Sequence, residues 1–368
     1  MEIELKKHTD VFIISKLKIN KLTIYPNIYL LELYCDNNKL IELPILPSTL
    51  KVLDCSRNNL KSLPKLCNTQ LNTLWCNHNK IHVLPTLPKT LIEININSNK
   101  IKKIPKLYNT KYIYCRNNLI KNIYFLPNSL ISFDCSFNNI KFIKFLPNKL
   151  RVLSCCHNLL KKIPFQPNSL INLNCMNNQI KDLYYLSDNL ENLNCSNNKI
   201  KILPTLPLYL FTLECFKNEL NELPILPNHL EDLDCSYNNL KYIPSLPFTI
   251  HTLIIHHNPL LQYPILHSNF INIRMDNHMI NSLKKMMIID QYENFIEYEK
   301  YNTFIKIYNV KSLYLHYKYG RKLFYKILEK RMNKIKQELL YTYSILLYNP
   351  SKIEKLLNQG IDIFYDDL

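Results

Sequence analysis

Cysteine is the residue type in this chain whose number and spacing could support chemistry. Ten of the 12 cysteines recur about every twenty residues. These column cysteines are Cys35, Cys55, Cys76, Cys115, Cys135, Cys155, Cys175, Cys195, Cys215 and Cys235. Regularly spaced cysteines can form disulfides, hold a metal ion or supply a nucleophile. Each of these functions needs its own side-chain geometry, so the surrounding elements decide among them.

A repeated unit positions the cysteines. One copy runs from Leu190 to Tyr209, LENLNCSNNKIKILPTLPLY, and the skeleton is L-x-x-L-x-C-x-x-N-x-I/L-x-x-L-P-x-L-P-x-x. A fixed period of this kind is typical of a solenoid, in which each unit buries its apolar face only by stacking on its neighbours. The column asparagines mark the period, with spacings of 20, 21, 20, 19 and then 20 throughout: Asn38, Asn58, Asn79, Asn99, Asn118, Asn138, Asn158, Asn178, Asn198, Asn218, Asn238 and Asn258.

Stacking turns the cysteines into an inward-facing column with one thiol on each strand. Neighbouring strands lie about 4.8 Å apart, but parallel side chains do not readily reach the torsion angle of a disulfide. A zinc site needs four converging ligands, which a column does not provide. The cysteines are therefore predicted to be reduced core residues in a reducing compartment, with no metal and no cofactor.

The unit resembles a leucine-rich repeat, and its short LPxLP form is similar to the repeats of bacterial effector proteins. The resemblance covers about residues 30–280. The cysteine-bearing short repeat, together with heavy use of Ile, Asn, Lys and Tyr, also resembles repeat proteins of giant DNA viruses (mimivirus-like). The resemblance implies a curved solenoid, and this scaffold serves many kinds of binding.

The skeleton predicts an α/β-type repeat solenoid dominated by β structure. By period-two alternation, L-x-x-L-x-C forms a short strand with the second leucine and the cysteine pointing inward. The stacked strands form one parallel sheet, predicted to be concave. The asparagine is expected to satisfy backbone groups at the bend after each strand. Proline in LPxLP removes amide donors, so the convex side is predicted to be extended or polyproline-like.

Three regions are predicted along the chain. Residues 1–29 are expected to form a degenerate capping repeat, because an uncapped solenoid exposes its first apolar layer. Residues 30–280 hold twelve clear repeats and one degenerate repeat. Residues 281–368 change to helical periodicity, ending in a short helix between Pro350 and Gly360. This small helical region is expected either to cap the solenoid or to act independently.

The outward-facing side of the sheet, called the sheet face below, is the predicted binding surface for a protein partner. Its third strand positions hold no Lys or Arg across twelve units, which disfavours nucleic acid there. Exposed Trp and Tyr are common anchors of protein interfaces, although a neutral face with incidental aromatics remains open. The predicted site residues are an aromatic group and a more acidic group: Tyr34, Trp75, Tyr112 and Tyr114; Asp134, Glu214, Phe216, Asp232 and Asp234.

A lysine stripe gives the alternative binding site. Stacking aligns one lysine per unit at the position after the third apolar residue: Lys61, Lys102, Lys121, Lys141, Lys161, Lys181, Lys201 and Lys241. With a formal net charge of +17, the stripe and the basic segment 318–336 could bind nucleic acid or an anionic membrane surface. AT-rich coding raises Lys and Asn together, however, and such a stripe also suits a solvated edge. Lys102 to Lys201 are the candidate anion-binding residues.

The sequence disfavours catalysis. The only glycines are Gly320 and Gly360, so no glycine-rich phosphate loop can be written in the repeats. Effectors with similar repeats can carry a cysteine-dependent ubiquitin ligase after them, but here the last cysteine is Cys235. No signal peptide or apolar run long enough to span a bilayer is recognised. We expect a non-catalytic, intracellular protein-interaction module, in the host cytoplasm if viral.

Overall fold

The computed structural model describes residues 1–261, 264 and 272–275. Nearly all of these residues belong to one compact unit, formed by Met1–Pro259 and Asn269–Met275. The helices predicted after residue 280, including the basic segment, lie outside the described residues. The boundaries predicted for the three regions therefore stay predictions.

The described chain contains eighteen short strands and no helix. They are β1 (Glu2–Leu5), β2 (Val11–Ile13), β3 (Lys21–Ile24), β4 (Glu32–Tyr34), β5 (Val52–Asp54), β6 (Thr73–Trp75), β7 (Glu93–Asn95), β8 (Tyr112–Tyr114), β9 (Asn122–Ile123), β10 (Ser132–Asp134), β11 (Phe142–Ile143), β12 (Val152–Ser154), β13 (Asn172–Asn174), β14 (Asn192–Asn194), β15 (Thr212–Glu214), β16 (Asp232–Asp234), β17 (Thr252–Ile254) and β18 (Asn272–Arg274).

One fourteen-stranded parallel sheet runs through this unit, confirming the predicted sheet. It begins at β2, takes one strand from each successive coil of about twenty residues and ends at β18. The register is constant, so equivalent residues pair across the sheet, as Leu173 does with Leu193 and Leu213. Two smaller parallel pairs, β1–β3 and β9–β11, lie outside it.

Each coil buries the same apolar positions. In one coil, Leu190, Leu193, Cys195, Ile200 and Leu203 are each at most 4% exposed. Burying one leucine side chain contributes roughly 1.5–3 kcal/mol to the free energy of folding. The same apolar positions are buried again in each successive coil. The core is therefore a continuous apolar rod that no single coil could form alone.

The column asparagines satisfy backbone groups at the bend, as predicted, and also join each coil to the one before it. Asn178 accepts a hydrogen bond from the Leu160 amide at 2.9 Å on Oδ1. Its Nδ2 donates at 3.0 Å to the carbonyl of Cys155 in the preceding coil and at 3.0 Å to that of Cys175 in its own coil. All twelve asparagines accept a backbone amide in this way.

The residue before each column asparagine has a left-handed backbone, which the repeat pattern did not reveal. All twelve have φ between 52° and 56°, and none is glycine. This conformation is unfavourable for bulky residues such as Phe137 and Tyr237. It is held by the next coil, since the amide of Asn177 donates to the Ser196 carbonyl there at 2.9 Å. The hydrogen-bond ladder thus continues through the bend.

The side opposite the sheet contains two short strands, where the sequence predicted an extended or polyproline-like form. β9 and β11 pair in register there, Asn122 with Phe142 and Ile123 with Ile143. In these two coils Tyr124 and Lys144 replace the first proline of LPxLP. The Lys144 amide is therefore available, and it donates to the Ile123 carbonyl at 2.9 Å.

The column cysteines form the predicted buried column. All ten are fully buried, and all twelve cysteines of the chain are free thiols. Burial raises the pKa of each column thiol above its ordinary value, for Cys195 to about 12, because the thiolate loses its hydration. Cys67 lies outside the column and is only half-buried.

Replacing Asn178 with alanine is expected to lower the free energy of unfolding by about 1–3 kcal/mol, since it leaves the buried Leu160 amide without its acceptor. It also removes one of the two side-chain donors to each of the Cys155 and Cys175 carbonyls. The measurement is the denaturant midpoint of the full-length protein. Asn139→Ala is the matched control, because Asn139 is exposed, and a surface change of this kind typically stays within about 0.5 kcal/mol. Equal midpoints for the two variants would contradict the structural role of the asparagine column.

Iodoacetamide is expected to alkylate Cys67 first and the ten column thiols only after denaturation. The reactive species is the thiolate, and the raised pKa values leave very little thiolate in the column at pH 8. Peptide mass spectrometry of native and denatured samples measures the order of labelling. Fast labelling of several column thiols in the native protein, or disulfides among them, would refute the buried column.

Candidate functional site

The sheet face is formed by the first and third residues of each strand. In β4 to β8, β10 and β12 to β17, these residues are half-buried and flank a buried central residue. The alternation follows from the period-two geometry of a strand. Every predicted site residue except Phe216 and the lysines lies on this face.

The predicted aromatic residues form a spaced row along the sheet. The register places Asp54 between Tyr34 and Trp75, and Asn95 between Trp75 and Tyr114. Successive aromatics are therefore two strands apart, about 10 Å. Tyr112 lies on the same strand as Tyr114. The row presents separate half-exposed rings with polar residues between them.

Glu93 is a site residue that the sequence analysis missed. The Trp75 indole Nε1 donates to Glu93 Oε1 at 2.8 Å, which fixes the orientation of the ring. Burial, followed by the charge of Glu93, raises the pKa of the Tyr114 hydroxyl. Tyr34 is held in a similar way, since its hydroxyl donates to Glu32 at 2.9 Å. The signal available in the sequence was that both acids occupy the first position of a strand.

Two of the predicted acidic residues also serve the backbone. Asp134 Oδ1 accepts the Ser136 amide at 2.9 Å, and Asp234 Oδ1 accepts the Ser236 amide at 3.0 Å. Asp54 does the same for Ser56. A carboxylate or amide that binds the backbone two residues on stabilises a turn. These acids therefore have a local structural role, whatever binds the face.

Glu214, Asp232 and Asp234 form the acidic group towards the other end of the face. Glu214 and Asp234 are directly paired across β15 and β16. Burial raises the pKa of Glu214, and the charges of Asp234 and Asp232 raise it further. A cation brought against this group would relieve that repulsion. Phe216 is half-buried at the bend after β15.

The two groups of the sheet face are far apart. Seven strand steps separate Trp75 on β6 from Glu214 on β15, which is about 34 Å at ordinary strand spacing. No small ligand spans that distance.

The last strand of the sheet carries a basic residue. Arg274 on β18 is exposed, and it lies beyond the twelve units in which the sequence shows no Lys or Arg at the third strand position.

The lysine stripe is exposed along its whole length. All eight lysines are exposed, and the six from Lys102 to Lys201 lie on consecutive coils. The hydrogen bond from the Lys141 amide to the Lys121 carbonyl at 2.9 Å shows one such adjacency. Lys201 approaches Glu219 at 4.0 Å. Surface ion pairs of this kind are weak, so the stripe retains its positive charge.

The described part of the chain contains no group of three or more His, Cys, Asp or Glu residues arranged to hold a metal ion. In the same residues, no helix is long and apolar enough to cross a membrane.

Solved structures with the same fold include proteins of known type. The chain is 30% identical to YopM, a leucine-rich effector protein from Yersinia pestis, over 73% of this chain and 88% of that chain, with a TM-score of 0.58. The leucine-rich-repeat domain of APL1 is 20% identical over 68% of this chain and 74% of that chain, with a TM-score of 0.56. The leucine-rich-repeat domain of APL1B is also 20% identical, over 78% of this chain and 90% of that chain, with a TM-score of 0.51. At 20% identity, these last two show the fold alone.

No protein-family model and no curated protein matches the chain. The coil-by-coil parallel sheet and the extended similarity to YopM are nevertheless sufficient to assign a family. The chain belongs to the leucine-rich-repeat proteins.

Proposed function

We propose that this chain is a non-catalytic scaffold that binds a protein partner on its sheet face. The observation that carries the proposal is the arrangement of Trp75 and Tyr114 on either side of Glu93: both rings are half-exposed, and the Trp75 ring is fixed by its hydrogen bond to Glu93. Aromatic side chains with restricted rotamers lose little entropy on binding and are typical interface anchors. The similarity to YopM, a leucine-rich effector protein, supports a scaffold role.

The charge of the sheet face favours a basic partner. From β4 to β17 the face carries seven acids and no Lys or Arg: Glu32, Asp54, Glu93, Asp134, Glu214, Asp232 and Asp234. A surface of this sign repels phosphate backbones and attracts Lys-rich or Arg-rich protein surfaces. The chain as a whole is basic, so the face is a local exception to its net charge of +17.

The setting in which the scaffold acts is also a proposal. Twelve free cysteines support a reducing compartment inside a cell. The composition and the cysteine-bearing short repeat support an origin in a giant DNA virus, with the host cytoplasm as the site of action.

Trp75→Ala combined with Tyr114→Ala is expected to abolish capture of the partner without unfolding the protein. Truncating an aromatic anchor commonly costs about 2 kcal/mol or more, enough to lose a micromolar complex. Affinity capture from expressing or infected cells, followed by mass spectrometry, compares wild type with this double variant. Binding of each purified candidate is then measured by calorimetry.

Two control variants show whether a loss of partner capture is specific to the aromatic residues. Ser154→Ala changes a half-buried, non-aromatic residue at an equivalent strand position and should leave capture intact. Replacing Lys121, Lys141, Lys161 and Lys181 together with glutamine should have little effect on the protein partner. If the lysine variant loses the partner and the aromatic variant keeps it, the sheet face is the wrong surface.

A further inference from the structure

A row of aromatic residues, three exposed and one half-buried, lies on the side opposite the sheet, in the four coils that span residues 121–185. The middle position of the LPxLP segment is aromatic in four successive coils, at Phe125, Phe145, Phe165 and Tyr185. Phe125 is 71% exposed and Phe165 is 74% exposed. Exposed phenylalanines are costly to hydrate, and three of them aligned by the repeat, followed by a tyrosine, need a reason beyond the fold.

Loss of proline enlarges this row. The first proline of LPxLP is replaced by Tyr124, Lys144 and Tyr184 in three of the four coils. Tyr184 is 82% exposed, and Tyr124 lies 6.5 Å from the exposed Phe142 ring. The β9–β11 pairing holds two of these coils in strict register. The result is a strip of aromatic side chains across four coils, called the aromatic strip below.

Lysines border the aromatic strip within the same short segments. Lys121, Lys141, Lys161 and Lys181 of the lysine stripe begin the segments, and Lys144 and Lys162 lie inside them. Asp182 is the only acid in residues 121–125, 141–145, 161–165 and 181–185. Lys144 Nζ lies 5.8 Å from the centre of the Phe125 ring, so cations and rings are directly interleaved.

We propose that the aromatic strip and its lysines dock on an anionic lipid bilayer surface. Phenylalanine and tyrosine partition into the interfacial zone of a bilayer, where a ring is removed from water and a hydroxyl stays wet. Lysine side chains extend past them to the anionic headgroups. Six lysines against one carboxylate provide the charge complementarity, and the rings provide the apolar contact that charge alone lacks.

Ring geometry favours a bilayer over single-stranded nucleic acid. Bases bind such surfaces by stacking on a free aromatic face. The Phe165 and Tyr185 rings already stack on each other at 4.8 Å with planes 7° apart, so each has lost one face. The stacked pair therefore offers a base fewer free ring faces than two separate rings would, whereas insertion among headgroups does not require a free face.

Vesicle co-sedimentation of the full chain tests the proposal. Wild type is expected to sediment with vesicles of phosphatidylcholine and phosphatidylserine and to stay in solution with phosphatidylcholine alone. The variant Phe125→Ser, Phe165→Ser and Tyr184→Ser should weaken sedimentation at least about tenfold, because it removes the rings that contact the bilayer. The three side chains are largely exposed, so thermal midpoints should remain close to wild type.

The matched control changes equally exposed apolar residues elsewhere on the same side. Ile45 is 88% exposed and Ile225 is 90% exposed, both at the middle position of LPxLP but in coils outside the strip. Ile45→Ser with Ile225→Ser should leave sedimentation unchanged. Replacing Lys121, Lys141, Lys161 and Lys181 with glutamine should reduce it as strongly as the aromatic variant does.

Three outcomes would overturn the proposal. If the aromatic variant sediments with anionic vesicles as well as wild type does, the binding is a nonspecific attraction between charges and the rings do not contribute. An equal loss in the isoleucine control would show that any exposed apolar residue on this side suffices. Absence of vesicle binding, together with oligothymidine binding that the aromatic variant weakens in fluorescence anisotropy, would assign the strip to single-stranded nucleic acid.

Discussion

The hydrogen bonds of the column asparagines are the interaction on which the rest of the structure depends. Each chain turn leaves the sheet at a bend where backbone groups would otherwise be buried without partners, a costly arrangement in an apolar core. One amide side chain satisfies groups of two adjacent coils together, as Asn178 does for Leu160, Cys155 and Cys175. The bend of one coil is consequently fully hydrogen-bonded only when the adjacent coil is in place.

Repetition made the backbone predictable from the sequence, because every coil faces the same physical problem. The constant period predicted the parallel sheet, and the invariant Asn and the recurrent Cys predicted a polar bend and a buried thiol column. The left-handed residues before the asparagines escaped notice because no glycine marks them: residues as different as Phe137 and Lys217 adopt the same φ. The neighbouring coils impose that conformation, and local residue preference does not.

The candidate sites were less predictable because they depend on where individual side chains meet across coils. Trp75 and Tyr114 were identifiable as outward-facing, but the role of Glu93 in holding Trp75 depends on a diagonal contact between strands. The aromatic strip was hidden in a different way. Its residues vary at positions that the skeleton treats as free, and only stacking brings Phe125, Phe145 and Phe165 into one row. Invariant positions thus encode the scaffold, and variable positions encode its surfaces.

The partners of each column asparagine have an evolutionary consequence. Beyond its own coil, Asn178 touches only an amide and a carbonyl of the preceding coil, atoms that every coil presents identically. Whole units can therefore be gained or lost without disturbing the hydrogen bonds that join the remaining coils. Each such event moves all later surface residues by one strand spacing, about 4.8 Å. The number of units between two contact regions thus sets the distance between them. That distance can change during evolution without any change in the residues of either region.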